Sequence, residues 1–281
     1  MNIIKKRNIL LTIVVLLLVS TTLYFYINQD SDNSTLKGVH IIDLKDGTKH
    51  LLFYGSKHSN NKTDPMFEDI KEMFFKMDPQ RVLVEGHHNR ISYNDVDIAI
   101  KNGESAYVSY LAQKNNISLG TVEPSISEQY NLLLEKYGKN KVLAMYTLRQ
   151  LNQYQRQQKY EQMKYSRVLC RYVLGMVNRG FPLNRDKVNI DYIERIIDPY
   201  LDQKITKENW TQVNAYKPVY KKGHELNEIY EEIYTIRNKN LVSTIKESLK
   251  KYNRVFVIMG SQHVIDEKEN IKNKFYKIIN K

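Results

Sequence analysis

Leu51-Leu52-Phe53-Tyr54-Gly55-Ser56-Lys57-His58 is an apolar, β-prone run that ends abruptly in Gly-Ser-Lys-His. Near the end of the chain the pattern returns as Val255-Phe256-Val257-Ile258-Met259-Gly260-Ser261-Gln262-His263. Glycine and histidine are scarce, 11 and 7 of 281 residues, so two strand-Gly-Ser-x-His segments are not an accident of composition. Each run reads as a buried strand. A glycine directly after a strand lets the backbone turn sharply and approach a neighbour or ligand closely. The repeat therefore predicts that the rest of the chain serves to bring His58 and His263 together at strand ends.

Working outward from the first copy, Val39–Leu44 and Lys49–Tyr54 flank Lys45-Asp46-Gly47-Thr48 and read as a β-hairpin. The segment Asp64–Met77 carries Met66, Ile70, Met73, Phe74 and Met77 at helical spacing, with Asp64 and Pro65 as its start. The strand Arg81–Glu85 follows. This strand–helix–strand order predicts a βαβ unit whose two strands are parallel neighbours. Asn94–Gln113 reads as one helix or two, and Ile117–Val122 as a further strand before Glu123-Pro124. From Ser125 to Asn253 helical periodicity takes over, in Ile126–Tyr137, Lys139–Met176, Asp191–Leu201 and His224–Tyr252. Ile271–Ile279 reads as a closing helix. The expected fold is α/β: a central, mostly parallel sheet covered by helices, with a large helical insertion between the early strands and the last one.

Four polar residues sit at or just after the ends of apolar runs: His58, Glu85, Glu123 and His263. Ligands of open parallel sheets bind outside those ends. Two imidazoles and two carboxylates there suit a divalent metal with N/O ligands, such as Zn, Mn or Co, and equally suit metal-free acid–base chemistry. Arg237 occupies a place in the stripe Ile229, Ile233, Leu241, Ile245, Leu249 where another apolar residue is expected. An arginine on a buried face needs a carboxylate or an oxyanion as partner, and Glu85 and Glu123 are the candidates. His87 and His88 read as loop residues, since adjacent side chains do not share a direction. Ser56 and Ser261 lack the Gly-x-Ser-x-Gly elbow of a serine nucleophile.

Ahead of this body, Lys5-Lys6-Arg7 precedes the uncharged, mostly apolar run Ile9–Ile27, and a polar Asp-, Asn- and Ser-rich tether follows. That order predicts a signal-anchor or transmembrane helix over residues 1–27, a linker over 28–37 and a body over 38–281; a cleaved signal peptide, with small residues at Val19-Ser20-Thr21, is the competing reading. The N-terminus is then cytoplasmic and the body extracytoplasmic, on a single-pass anchor in the cell membrane. Cys170 is the only cysteine, which excludes an internal disulfide and a cysteine-based metal site. The net charge of +12 fits anionic surface polymers or lipid headgroups better than nucleic acid in that compartment.

The ordered set Gly55-Ser56-Lys57-His58, Val82-Leu83-Val84-Glu85, Thr235-Ile236-Arg237-Asn238 and Gly260-Ser261-Gln262-His263 resembles the TraB/PrgY/GumN/Tiki family. Gly120-Thr121-Val122-Glu123 is similar to that family's second glutamate motif, and Arg90, five after Glu85, to a Glu-x-x-x-x-Arg of some members. The resemblance spans roughly residues 38–280 and implies an α/β fold with its site at the strand ends. It also implies a membrane-anchored, metal-dependent hydrolase, a peptidase acting on a secreted or surface peptide or protein. In that scheme His58, His263 and Glu85 hold the metal, Glu123 or Glu85 acts as base, and Arg237 steadies the developing oxyanion. Gly55, Gly260 and Arg90 shape the site. The alternative is a surface protein of the same fold that sequesters a peptide ligand without cleaving it, in the manner of pheromone-shutdown members. The helical insertion would serve as a lid or as a homodimer interface. Lys57, if it pointed inward beside His58, would repel a cation.

Overall fold

The computed structural model describes residues 36–155 and 164–279. In chain order the elements begin with β1 (His40–Asp46), β2 (Lys49–Ser56), α1 (Met66–Met77) and β3 (Arg81–Val84). Next come α2 (Val96–Lys101), α3 (Glu104–Lys114), β4 (Ser118–Thr121), α4 (Ile126–Tyr137), α5 (Lys139–Gln155) and α6 (Tyr165–Asn178). The chain closes with α7 (Ile190–Ile197), α8 (Lys217–Tyr220), α9 (Glu225–Lys251), β5 (Arg254–Gly260) and α10 (Ser261–Ile279). They divide into two compact units. The first is the chain up to Thr121 together with the chain from Thr244 onward; the second is Val122–Ser243. The expected membrane span and most of its tether lie outside the described residues. Among the described residues no helix is long and apolar enough to cross a membrane.

The first unit is an α/β sheet of five strands in the order β1-β2-β5-β3-β4. β1 runs antiparallel to β2, and the other pairings are parallel. The hairpin turns on Gly47 and Thr48, between the paired Asp46 and Lys49, and Gly47 supplies the positive φ of +53°. β2, β5 and β3 are near-continuous apolar runs because both of their faces are covered. Leu52, Tyr54, Val82, Val84, Phe256 and Ile258 pack with Met66, Ile70 and Phe74 of α1 and Val108 and Leu111 of α3. α10 packs against β1, β2 and β5.

Two expectations need correction here. β2 and β3 are parallel but not neighbours, because β5 lies between them and pairs with both. Local order could not reveal this: the strand that takes the middle, with Val255 to Met259 all fully buried, arrives only at the end of the chain. The closing helix also starts ten residues earlier than its apolar periodicity shows, at Ser261 directly after Gly260, so His263 lies in a helix and not in a loop.

The second unit is helical and has a core of its own, centred on Tyr130, Leu133, Leu143, Leu169, Ile193 and Ile229. The segment Lys139–Met176, expected as one helix, is described as α5 and α6, with 156–163 outside the described residues. Its tyrosines build core and seams: Tyr146 meets Tyr130 of α4 edge-on, and Tyr165 lies against Trp210.

Candidate functional site

The placement of β5 assembles the site of the first unit. Because it pairs with both neighbours, the carboxyl ends of β2, β5 and β3 lie side by side. Ser56 is in register with Gly260, and Glu85 N–H donates to Ile258 O at 3.0 Å. Past the end of β2 the chain leaves the sheet through Lys57 and His58. His58 takes a left-handed φ of +58°, a conformation uncommon for any residue with a side chain. Two ion pairs anchor the loop beyond it: Lys57 Nζ to Asp64 Oδ1 at 3.0 Å and Lys62 Nζ to Asp97 Oδ2 at 3.5 Å. Asp64 also accepts from Met66 N–H at 3.0 Å at the start of α1, so Lys57 is engaged there and not turned toward the site.

The decisive partner is Glu104, a residue the sequence reading did not single out. It begins α3 after Gly103 (φ +94°), and the buried residues Tyr107, Val108, Leu111 and Ala112 pin that helix to the sheet. Glu104 is itself 5% exposed. Its Oε1 receives two hydrogen bonds of 2.6 Å, one from Ser56 Oγ and one from His58 Nδ1. Burial alone would raise the Glu104 pKa. The hydrogen bonds from His58 and Ser56, with the His58 charge, outweigh it and hold the carboxyl below its usual range. An ionised carboxylate only accepts, so Nδ1 carries a proton in either charge state of the ring, and when the ring is neutral the lone pair is on Nε2. The His58 side chain is 65% exposed, so the ring lies at the rim of the site and not in the interior.

Gly260 makes room for that ring. A Cβ there would sit 2.8 Å from His58 Nε2, 3.2 Å from Cε1 and 3.8 Å from Glu85 Oε2. Glu85 Oε2 accepts from Gly260 N–H at 2.9 Å. The second strand-end glycine thus holds the imidazole of the first motif beside the Glu85 carboxylate. Gly55 does something different. A Cβ there would fall 2.6 Å from Val264 Cγ2, 2.8 Å from His40 O and 2.9 Å from Ser261 Cα, so it permits close backbone packing of β1 and α10.

The other expected residues are distributed as follows. His263 is 5% exposed in the first turn of α10. Arg90 ends a short 3-10 turn, His88–Arg90, and is exposed. Glu123 and Arg237 belong to the second unit, where they form a bidentate pair: Arg237 Nε to Glu123 Oε2 at 2.9 Å and Nη2 to Oε1 at 2.6 Å. Both side chains are largely buried, which answers the sequence question of why an arginine occupies an apolar stripe. Beside them Asn240 Nδ2 donates to Val122 O at 2.7 Å.

For a metal, the point above Gly260 offers two donors, His58 Nε2 and the Glu85 carboxylate. A carboxylate behind the opposite imidazole nitrogen is the support that metal-ligating histidines receive. Among the described residues, however, no three His, Cys, Asp or Glu side chains are arranged to hold a metal ion. His58, Glu85 and His263 do not form such a set. No protein-family model, curated protein or solved structure matches the chain.

Proposed function

We propose that the chain is a hydrolase of acyl bonds, a peptidase or esterase, whose base is His58. The observation that carries this reading is the buried, ionised Glu104 on His58 Nδ1 at the carboxyl edge of a parallel sheet. Glu104 fixes the tautomer, Ser56 fixes Glu104, and the lone pair of Nε2 takes a proton from water as its oxygen attacks the substrate carbonyl. The Glu85 carboxylate, beside the same point above Gly260, stabilises the imidazolium so formed. When the C–N or C–O bond breaks, the imidazolium returns that proton to the leaving group. The ordered motifs and the basic, apolar N-terminal run support placing the activity outside the cytoplasmic membrane, on a peptide or surface substrate.

The full chain, purified with its anchor in detergent, should hydrolyse p-nitrophenyl acetate or a fluorescence-quenched peptide library, and His58→Ala should abolish this. Turnover that survives chelation supports the metal-free base. Turnover lost on chelation, with metal content that falls in His58→Ala, restores the metal reading. Ligand binding with no product from either probe favours the sequestering alternative and ends the hydrolase reading.

A further inference from the structure

The loop that follows β3 carries a second histidine that the acyl-hydrolase reading has not used. His88 Nδ1 lies 2.6 Å from the hydroxyl of Tyr93, and the two rings tilt together at 6.1 Å. Tyr93 is 5% exposed and packs with Ala99 and Ala106. Gln113 of α3 clamps the strand of loop between them: its Oε1 accepts from Tyr93 N–H at 3.0 Å and its Nε2 donates to Ile91 O at 2.6 Å. Thr121 Oγ1 donates to Gly86 O at the start of the loop. α3 therefore positions both histidines, His58 through Glu104 at its first turn and His88 through Ala106 and Gln113 further along. The helix also packs against the turn that bears His88.

The hydrogen bond to Tyr93 has a direction. Burial raises the Tyr93 pKa, so the phenol keeps its proton, and His88 Nδ1 is the acceptor available to it. If Nδ1 carried the ring proton, the Tyr93 oxygen would accept it, and the buried hydroxyl proton would lose the acceptor that a bare Nδ1 gives it. Burial also lowers the His88 pKa, against the charges of Glu104 and Glu85 that reach the ring, so the imidazole stays neutral. A neutral ring that accepts at Nδ1 carries its proton on Nε2.

The geometry points to His88 as a second functional histidine, held by Tyr93 as an Nε2–H donor to the substrate, while Glu104 holds His58 in the opposite tautomer as acceptor. This assignment rests on the hydrolase reading above. In it Nε2–H of His88 donates a hydrogen bond, without transferring its proton, to the substrate carbonyl oxygen as that oxygen gains negative charge. Glu104 and Tyr93 are positioning residues.

The test uses the full chain labelled with 15N-histidine. Long-range 1H–15N spectra at neutral pH should show His88 protonated at Nε2 and His58 at Nδ1, with the His88 pattern becoming mixed in Tyr93→Phe. In p-nitrophenyl acetate and quenched-peptide hydrolysis, His88→Asn keeps an acceptor for Tyr93 but has no group at the Nε2 position, whereas His88→Gln places an amide donor there. His88→Asn should lower kcat roughly 10²-fold with little change in KM, and His88→Gln should recover most of it. An Nδ1-protonated His88 overturns the assignment, as do equal rates in the Asn and Gln variants. A wild-type chain that turns over neither probe removes the hydrolase reading instead, and the tautomer spectrum then decides the His88 assignment alone.

Discussion

The two Gly-Ser-x-His segments share a sequence and a strand-end position, yet they do different work. After Gly55 and Ser56 the chain leaves the sheet into a loop, and His58 is exposed in a left-handed conformation. After Gly260 the chain enters α10 at once, and His263 is buried in its first turn. Gly55 is required by backbone atoms of β1 and α10, Gly260 by the His58 ring. Ser56 donates to a buried carboxylate. What separates the copies is the following secondary structure: a loop can present an imidazole to a substrate, while the first turn of a packed helix draws it into the core. The second copy serves the first by being glycine where the first needs space.

The largest expected effect breaks this comparison at its exposed copy. His58→Ala should reduce hydrolysis about 10²–10⁴-fold, the range of a positioned base. It should also cost about 1–3 kcal/mol in a urea melt, because Glu104 loses one of its two side-chain donors while buried. Next come the glycines. Gly55→Ala should destabilise the fold by about 1–3 kcal/mol or more, since two of its three closest contacts are backbone that cannot swing aside. Activity per folded molecule should be kept. Gly260→Ala should do the reverse: its nearest contact is the end of the His58 side chain, so the ring moves, hydrolysis falls and the melt changes less. If the two glycine variants lose activity and stability in the same proportion, the division of labour between the copies is wrong. His263→Ala, read by the same pair of measurements, should cost about 1–3 kcal/mol as a buried truncation and leave hydrolysis per folded molecule unchanged.

Much of this was legible in the sequence. The hairpin, α1, the strands and α9 follow from apolar periodicity and turn chemistry, because each is decided within its own window. Strand order was not, since β5 wins the centre by pairing with strands far away in the chain. Of the site, His58, Glu85 and both glycines could be named from their positions after strands. Glu104 was missed although a signal existed. It stands four residues before Val108 and seven before Leu111, on the apolar stripe of α3. That is the argument that singled out Arg237 on α9, and an acid on a buried face needs a partner as much as an arginine does. His88 was set aside because neighbouring side chains diverge. Tyr93, five residues on, supplies the constraint that local reasoning could not weigh.

The smallest effect sharpens the comparison through pH. Burial raises the Glu104 pKa, but the bonds from His58 and Ser56 more than reverse this and leave it below 4.5. A carboxyl depressed in the folded state contributes stability that is fully present above its unfolded pKa and lost as pH falls through the folded value. Burial drives His88 below 6.5, so the unfolded chain binds the extra proton first, and stability also declines as pH drops from 6.5 toward the folded value. Urea midpoints measured from pH 7 to pH 3 should therefore fall in two stages. Glu104→Gln should flatten the stage below pH 4.5 and, by removing a charge that raises the His88 pKa, deepen the one just below pH 6.5, whereas His88→Gln should flatten that upper stage. A Glu104→Gln chain with the wild-type acid slope would mean that the carboxylate is not held ionised by His58, and the exposed copy of the motif would lose the contact that distinguishes it from the buried one.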